Sequence, residues 1–158
     1  MMIIKYILLI ALLLNLTAFA EELKIKANSF SADEQKGISI FSGDVRVKKH
    51  NDELNASEVT IYTDKNNQPT KFVAIGNVSF KIETKKGAKY EGAANRVIYL
   101  PKEKEYHFYE NVHLKQVNEK KEIIGDEVTL ALDSGKAFAK GAKSEPVIMI
   151  FDIKDEKE

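Results

Sequence analysis

One strand-length phrase, apolar-x-Gly-x-Val-x-apolar, recurs along this chain and limits what it can fold into more than any other feature. It reads Phe41-Ser42-Gly43-Asp44-Val45-Arg46-Val47, then Ala74-Ile75-Gly76-Asn77-Val78-Ser79-Phe80. A third copy, Phe108-Tyr109-Glu110-Asn111-Val112-His113-Leu114, carries glutamate at the glycine position. Gly43, Gly76 and Glu110 thus fall 33 and 34 residues apart, room for about one hairpin between copies. Within a phrase the apolar residues share one parity, and the run Phe72, Ala74, Gly76, Val78, Phe80, Ile82 extends it. Successive side chains of a strand point to opposite faces, so this alternation predicts antiparallel strands with one apolar face.

A second phrase, apolar-x-small-x-x-apolar-x-apolar, alternates with the first. Its copies begin at Ile25, Leu54, Gly92 and Ile123, with Ala27, Ala56, Ala94 and Gly125 as the small residues. Apolar parity switches inside each copy, which in a strand means a bulge or a corner, and a small residue suits a place where backbones come close. Two phrases with separate parities predict an all-β chain, a sandwich of two sheets whose apolar faces look at each other. The repeats offer much Val, Ala, Gly, Ser and Thr, and tryptophan is absent. A sandwich filled so sparsely is expected to stand parted around an apolar groove. Parity places Phe41, Val45, Val47, Phe72, Val78, Phe80, Phe108, Val112, Leu114, Val128 and Leu130 on the inward face, as groove lining or as core.

The N-terminus reads as a secretory leader: Lys5, an apolar run from Ile7 to Leu16, and the ending Ala18-Phe19-Ala20 predict cleavage before Glu21. An uncleaved anchor is the alternative, because Ile3 to Ala20 approaches a membrane-spanning length, although Asn15 and Thr17 weaken it. The expected organisation is a signal peptide over 1–20, one β domain over 21–146, and a C-terminal strand with a charged tail over 147–158. With 24 basic and 24 acidic residues, no overall field favours nucleic acid. The chain has no cysteine, so packing and backbone pairing alone hold an exported fold.

No catalytic or metal site is expected. His107 and His113 share parity with each other but face away from the apolar side, and with His50 they match no common zinc spacing. No serine sits in a strand-turn-helix elbow, there is no phosphate loop, and Asp126 and Glu127, being adjacent, cannot form an inward carboxylate pair. Lys48-Lys49, Lys85-Lys86 and Lys120-Lys121 read as solvated hairpin tips that could also touch phosphate. The first strand, with Leu23 and Ile25, and the last, with Val147, Met149 and Phe151, are the expected assembly edges, since an open strand edge can be completed by another chain.

Taken in order, Phe41-Ser42-Gly43-Asp44-Val45, Leu54-Asn55-Ala56-Ser57-Glu58-Val59, Tyr90-Glu91-Gly92-Ala93-Ala94, Tyr109-Glu110-Asn111-Val112-His113-Leu114 and Ile124-Gly125-Asp126-Glu127-Val128 resemble the OstA-like family, and within it the periplasmic LptA-like branch. The similarity covers about Leu23 to Gly141. Two positions depart from the family pattern, Ala27-Asn28 where Ser-Asp is common, and Glu110 in place of glycine. The resemblance implies a twisted antiparallel β-jellyroll that holds the lipid A acyl chains of lipopolysaccharide between its sheets. It also implies head-to-tail assembly with itself and with OstA-like domains of the inner-membrane (LptC-like) and outer-membrane (LptD-like) complexes, with no cofactor and no chemistry. Two other readings remain at this point: a membrane-anchored LptC-like sister domain, or a structural β-repeat protein with a dry interior.

Overall fold

The computed structural model describes residues 22–154, so the expected leader and the last four residues of the tail lie outside it. Ten strands follow in order: β1 (Leu23–Lys26), β2 (Ser29–Asp33), β3 (Ile38–Lys49), β4 (Asp52–Thr63), β5 (Pro69–Glu83), β6 (Lys89–Leu100), β7 (Glu105–Gln116), β8 (Lys121–Ala131), β9 (Ala137–Lys140) and β10 (Ile148–Phe151). All pairings are antiparallel, and the described residues contain no helix.

The repeated Gly-x-Val phrase marks a crease. Gly43 and Asp44, Gly76 and Asn77, and Glu110 and Asn111 all have positive φ, two consecutive left-handed residues in each of β3, β5 and β7. At each place the register jumps, between Ser42 and Val45, Ile75 and Val78, and Tyr109 and Val112. One extra residue on the bulged strand bends it and increases its twist. Glycine accepts the left-handed region without a Cβ penalty. The two departures from the family pattern both sit at this crease: Glu110 adopts φ 64° in glycine's place, and the Asn28 side chain fills the space a Cβ on Gly43 would need. Sequence parity assigned the bulge to the second phrase. It belongs to the first, and the small residues of the second sit across the ladder from it.

That arrangement explains why the phrases alternate. Val45 pairs with Ala56, Val78 with Ala94, and Val112 with Gly125, so large and small side chains take turns along the inner side of the crease. All three valines are fully buried.

Each long strand therefore serves two layers. On one side of the crease lie β2, the first halves of β3, β5 and β7, the second halves of β4, β6 and β8, and β9. On the other side lie β1, the remaining halves, and β10. The two facing sheets expected from the sequence are thus two halves of one hydrogen-bonded sheet folded on itself. Phe80 of one half meets Phe108 of the other at 4.6 Å between ring centroids, and one apolar cluster draws on both halves. Gly92 lies beneath this contact: a Cβ there would collide with the His113 carbonyl of β7 and press on the Phe80 ring, so the ladder and the ring both require glycine.

The outer face of the β1-to-β10 layer carries a ladder of charge, Lys24, Lys48, Glu53, Lys81, Glu91, Lys115 and Glu122, each opposite the next across successive strands. Lys48 and Glu53 come within 3.0 Å, and Lys115 and Glu122 within 3.7 Å. Exposed pairs of this kind add little stability each, but a one-residue slip would break the whole row, so they specify register.

Candidate functional site

The two layers are packed unequally. On the β7–β8 side Phe108, Val112, Leu114, Val128 and Leu130 are fully buried and seal the interior. On the β3–β6 side an open cavity of about 440 Å³ separates the layers. Its walls are apolar: Val59, Ala74, Val97, Phe72 and Tyr99 from one layer, Val47, Leu54, Phe80 and Ile82 from the other. Ala74 stands between Val59 and Val97 in the ladder, so the wall there is one methyl deep. A volume of this size is typical of small-ligand sites and suits an aliphatic chain.

The residues expected to face inward do so, but they divide. Val47, Phe72 and Phe80 line the cavity. Val45, Val78, Phe108, Val112, Leu114, Val128 and Leu130 belong to the sealed cluster, and Phe41 packs half-buried against it under Phe30, at 4.8 Å between rings. Parity identifies the inner face but not which of its residues touch one another, and this separation depends on the twist between layers. Leu54, Tyr99 and Tyr106 were missed as lining although each obeys the same alternation; the first two stand in the second phrase, read at sequence level as corner.

Polar groups mark the rim. Lys49, Asp52 and Gln68 border the cavity, and the outward-facing Glu53 and Lys81 lie at its edge. Asp52 lies on the inner parity of β4, and its Oδ1 accepts the Glu83 backbone N–H at 2.8 Å. Burial holds its carboxyl above the usual range, against the lowering effect of that hydrogen bond and of Lys49. Tyr106 enters from the opposite layer, stacked on Tyr99 at 4.4 Å. Burial, with the Asp52 charge second, pushes its hydroxyl far above the normal value, so it stays protonated.

The other residues considered lie elsewhere. His107 and His113 are on the outer face; His113 Nε2 contacts Glu122 Oε2 at 2.8 Å, which holds the Glu122 carboxyl below its usual range, and His107 contacts Glu105 and Thr129. Among the described residues no group of three or more His, Cys, Asp or Glu side chains is placed to hold a metal. Lys85 and Lys86 occupy a turn, whereas Lys48 and Lys49 belong to β3, Lys48 pointing outward and Lys49 toward the cavity mouth. Lys121 begins β8, and Lys120 reaches Asp152 at 3.7 Å.

Four short strands form the sheet margins. β1 and β10 end one layer, while β2 and β9 end the other. Leu23 and Ile25 lie on β1, and Met149 and Phe151 on β10, with Val147 just before it. β10 is exposed along its length, and Phe30 and Phe138 on the other two margins are 60% and 64% exposed.

A family model described as "LptA/(LptD N-terminal domain) LPS transport protein" matches residues 24–136. Among solved structures, the fold is similar to that of LptH from Pseudomonas aeruginosa, described as the LptA-homologous periplasmic component of the conserved lipopolysaccharide transport device. The match has a TM-score of 0.73 at 15% identity and covers 84% of this chain and 96% of that one. No curated protein matches the chain significantly.

Proposed function

The chain belongs to the LptA/(LptD N-terminal domain) family of lipopolysaccharide transport proteins, and from that premise we propose that it bridges the periplasm as a carrier, holding lipid A acyl chains in the cavity between its folded layers. The observation that carries this reading is the apolar space of about 440 Å³ between Phe72, Ala74 and Tyr99 on one side and Val47, Leu54 and Phe80 on the other. Apolar surface moves from water into such a slot with a gain of about 25 cal/mol per Å², so acyl chains supply the driving force and the sugars need not be read. A dry structural repeat would gain stability by filling that space with its own side chains. The seal on the β7–β8 side leaves room for only part of a multi-chain lipid, so a whole lipid A requires the layers to part further or the remaining chains to lie in the open mouth.

Copies of the chain join end to end through β1 and β2 of one and β9 and β10 of the next, and the same edges meet the related domains of the inner- and outer-membrane complexes. Open N–H and C=O groups along these short margin strands support that assignment. The leader at Met1–Ala20 delivers the protein to the periplasm, and it works there by binding, without catalysis or cofactor.

Substituting Phe72→Asp places a charge in the wall at a half-buried position. Wild-type protein incubated with lipopolysaccharide is expected to co-elute with it in size-exclusion chromatography, whereas the variant, with an unchanged far-ultraviolet circular dichroism spectrum, elutes free. A folded variant that still co-elutes would remove the slot as the binding site.

A further inference from the structure

The apolar slot brings polar groups from the two layers to the same space. Asp52 is the inward residue at the outer end of β4, paired with Lys49 of β3. Its bond from the Glu83 N–H fixes one carboxylate oxygen. A carboxylate offers about four lone-pair directions, so acceptor capacity remains toward the cavity it lines. Tyr106 comes from β7 in the opposite layer, its ring clamped between Tyr99 at 4.4 Å and Phe108 at 5.9 Å. Its hydroxyl can donate or accept, and the residue lines the same cavity as Asp52. Lys49 stands beside Asp52 and Tyr99 beside Tyr106, while Leu54, Phe72, Phe80 and Ile82 make the apolar walls around them.

We propose that Asp52 and Tyr106 form a polar station in the slot that selects aliphatic chains bearing a neutral hydroxyl or secondary amide near the head end over unsubstituted chains. The inference rests on the slot being a lipid site. A hydroxyl suits both partners, donating to the Asp52 carboxylate and accepting from the Tyr106 O–H. A plain methylene at that level leaves both without a guest partner in a space where water is displaced, and unmet polar groups are costly. A carboxylate or phosphate at the same level meets the Asp52 charge. Lys49, His50 and Glu83 are the other charged or titratable groups acting on Asp52, with Glu53 and Lys81 on the cavity rim, so the station sits at the boundary between wet rim and dry wall.

The test compares two neutral probes, methyl decanoate and methyl 3-hydroxydecanoate, by displacement of the fluorescent dye 1-N-phenylnaphthylamine from the full-length protein. Apolar burial alone favours the plain ester, so the direction of preference is diagnostic. Wild-type protein is expected to bind the hydroxylated ester about tenfold more tightly, the effect of one hydrogen bond to a charged group. Tyr106→Phe should reduce the preference to about twofold or less, and Asp52→Asn, which keeps the shape but removes the charge, should reduce it while strengthening the binding of decanoate ion. Equal binding of the two esters by wild-type protein, or a preference that survives in both variants, overturns the station and leaves the slot intact. Failure of both esters to displace the dye overturns the slot reading and the station with it.

Discussion

Ala74→Leu should make this protein more stable and a worse carrier. Ala74 is buried, sits in the ladder between Val59 and Val97, and lines the cavity. Leucine adds three carbons. At about 0.8 kcal/mol per buried methylene the gain is about 2.4 kcal/mol, and the lost rotamer freedom of leucine removes roughly 0.5–1 kcal/mol. The net of about 1.5–2 kcal/mol corresponds to a Tm about 5 °C higher for a chain of this size. Three carbons occupy a small part of about 440 Å³, so the layers need not move. The assay is thermal unfolding followed by circular dichroism, paired with lipopolysaccharide co-elution. The reasoning predicts Tm up and bound lipid down in one protein. A fall in Tm would show that the space around Ala74 is already filled, because an overpacked core typically loses 1–3 kcal/mol, and the vacancy on which the function depends would be gone.

Three further outcomes follow from particular residues. Glu110 holds φ 64° at an exposed crease position, and a left-handed non-glycine residue costs roughly 1–2 kcal/mol; Glu110→Gly should raise stability by about 0.5–1 kcal/mol in urea titration after the greater chain entropy of glycine is subtracted, and a loss of stability would contradict the bulge account. The Asp52 carboxyl titrates above its ordinary value of 3.8 because it is buried, so the folded state holds that proton more tightly than the unfolded chain does. Its contribution is therefore complete below about pH 3.8 and is lost as pH rises through the folded value; Asp52→Asn should flatten the stability profile in this window and gain on wild type toward pH 7, and an unchanged difference between the two across the window would refute it. Deleting residues after Pro146 removes β10 and should leave a monomer by light scattering at concentrations where the full chain associates, whereas an unchanged mass would take that edge out of the assembly.

A bend within the strands was legible, but parity put it in the second phrase; its true place is written in local residues, since two left-handed positions in a row favour Gly, Asn or Asp, and the sequence supplies them at Gly43-Asp44 and Gly76-Asn77. Even Glu110 could be placed, through Asn111 and Val112 after it. The inner face was legible for the same reason, since period two is local. Which inner residues touch each other was not. Phe80 on β5 and Phe108 on β7 are separated in the ladder by β6 and meet only because the sheet folds, so one parity covered both the sealed cluster and the open cavity. Tyr106 looked like any alternating aromatic, and Asp52 like a turn residue, until the layers brought them to one space. The row of Lys24, Lys48, Glu53, Lys81, Glu91, Lys115 and Glu122 was invisible for a related reason: register is set between strands, and no single segment carries it. Lysines read as hairpin tips at Lys48 and Lys49 proved to be one outward ladder member and one inward rim residue.

The central claim is that lipid lies between the layers and not on their backs, and neighbouring residues separate these cases cleanly. Tyr99 lines the cavity while Ile98 beside it points outward, and Phe72 lines it while Val73 does not. A photo-crosslinking amino acid placed singly at these four positions, in protein producing cells and then irradiated, should give lipopolysaccharide adducts from positions 99 and 72 and none from 98 and 73. Adducts of equal yield from both faces, or from the outer face alone, would contradict the account.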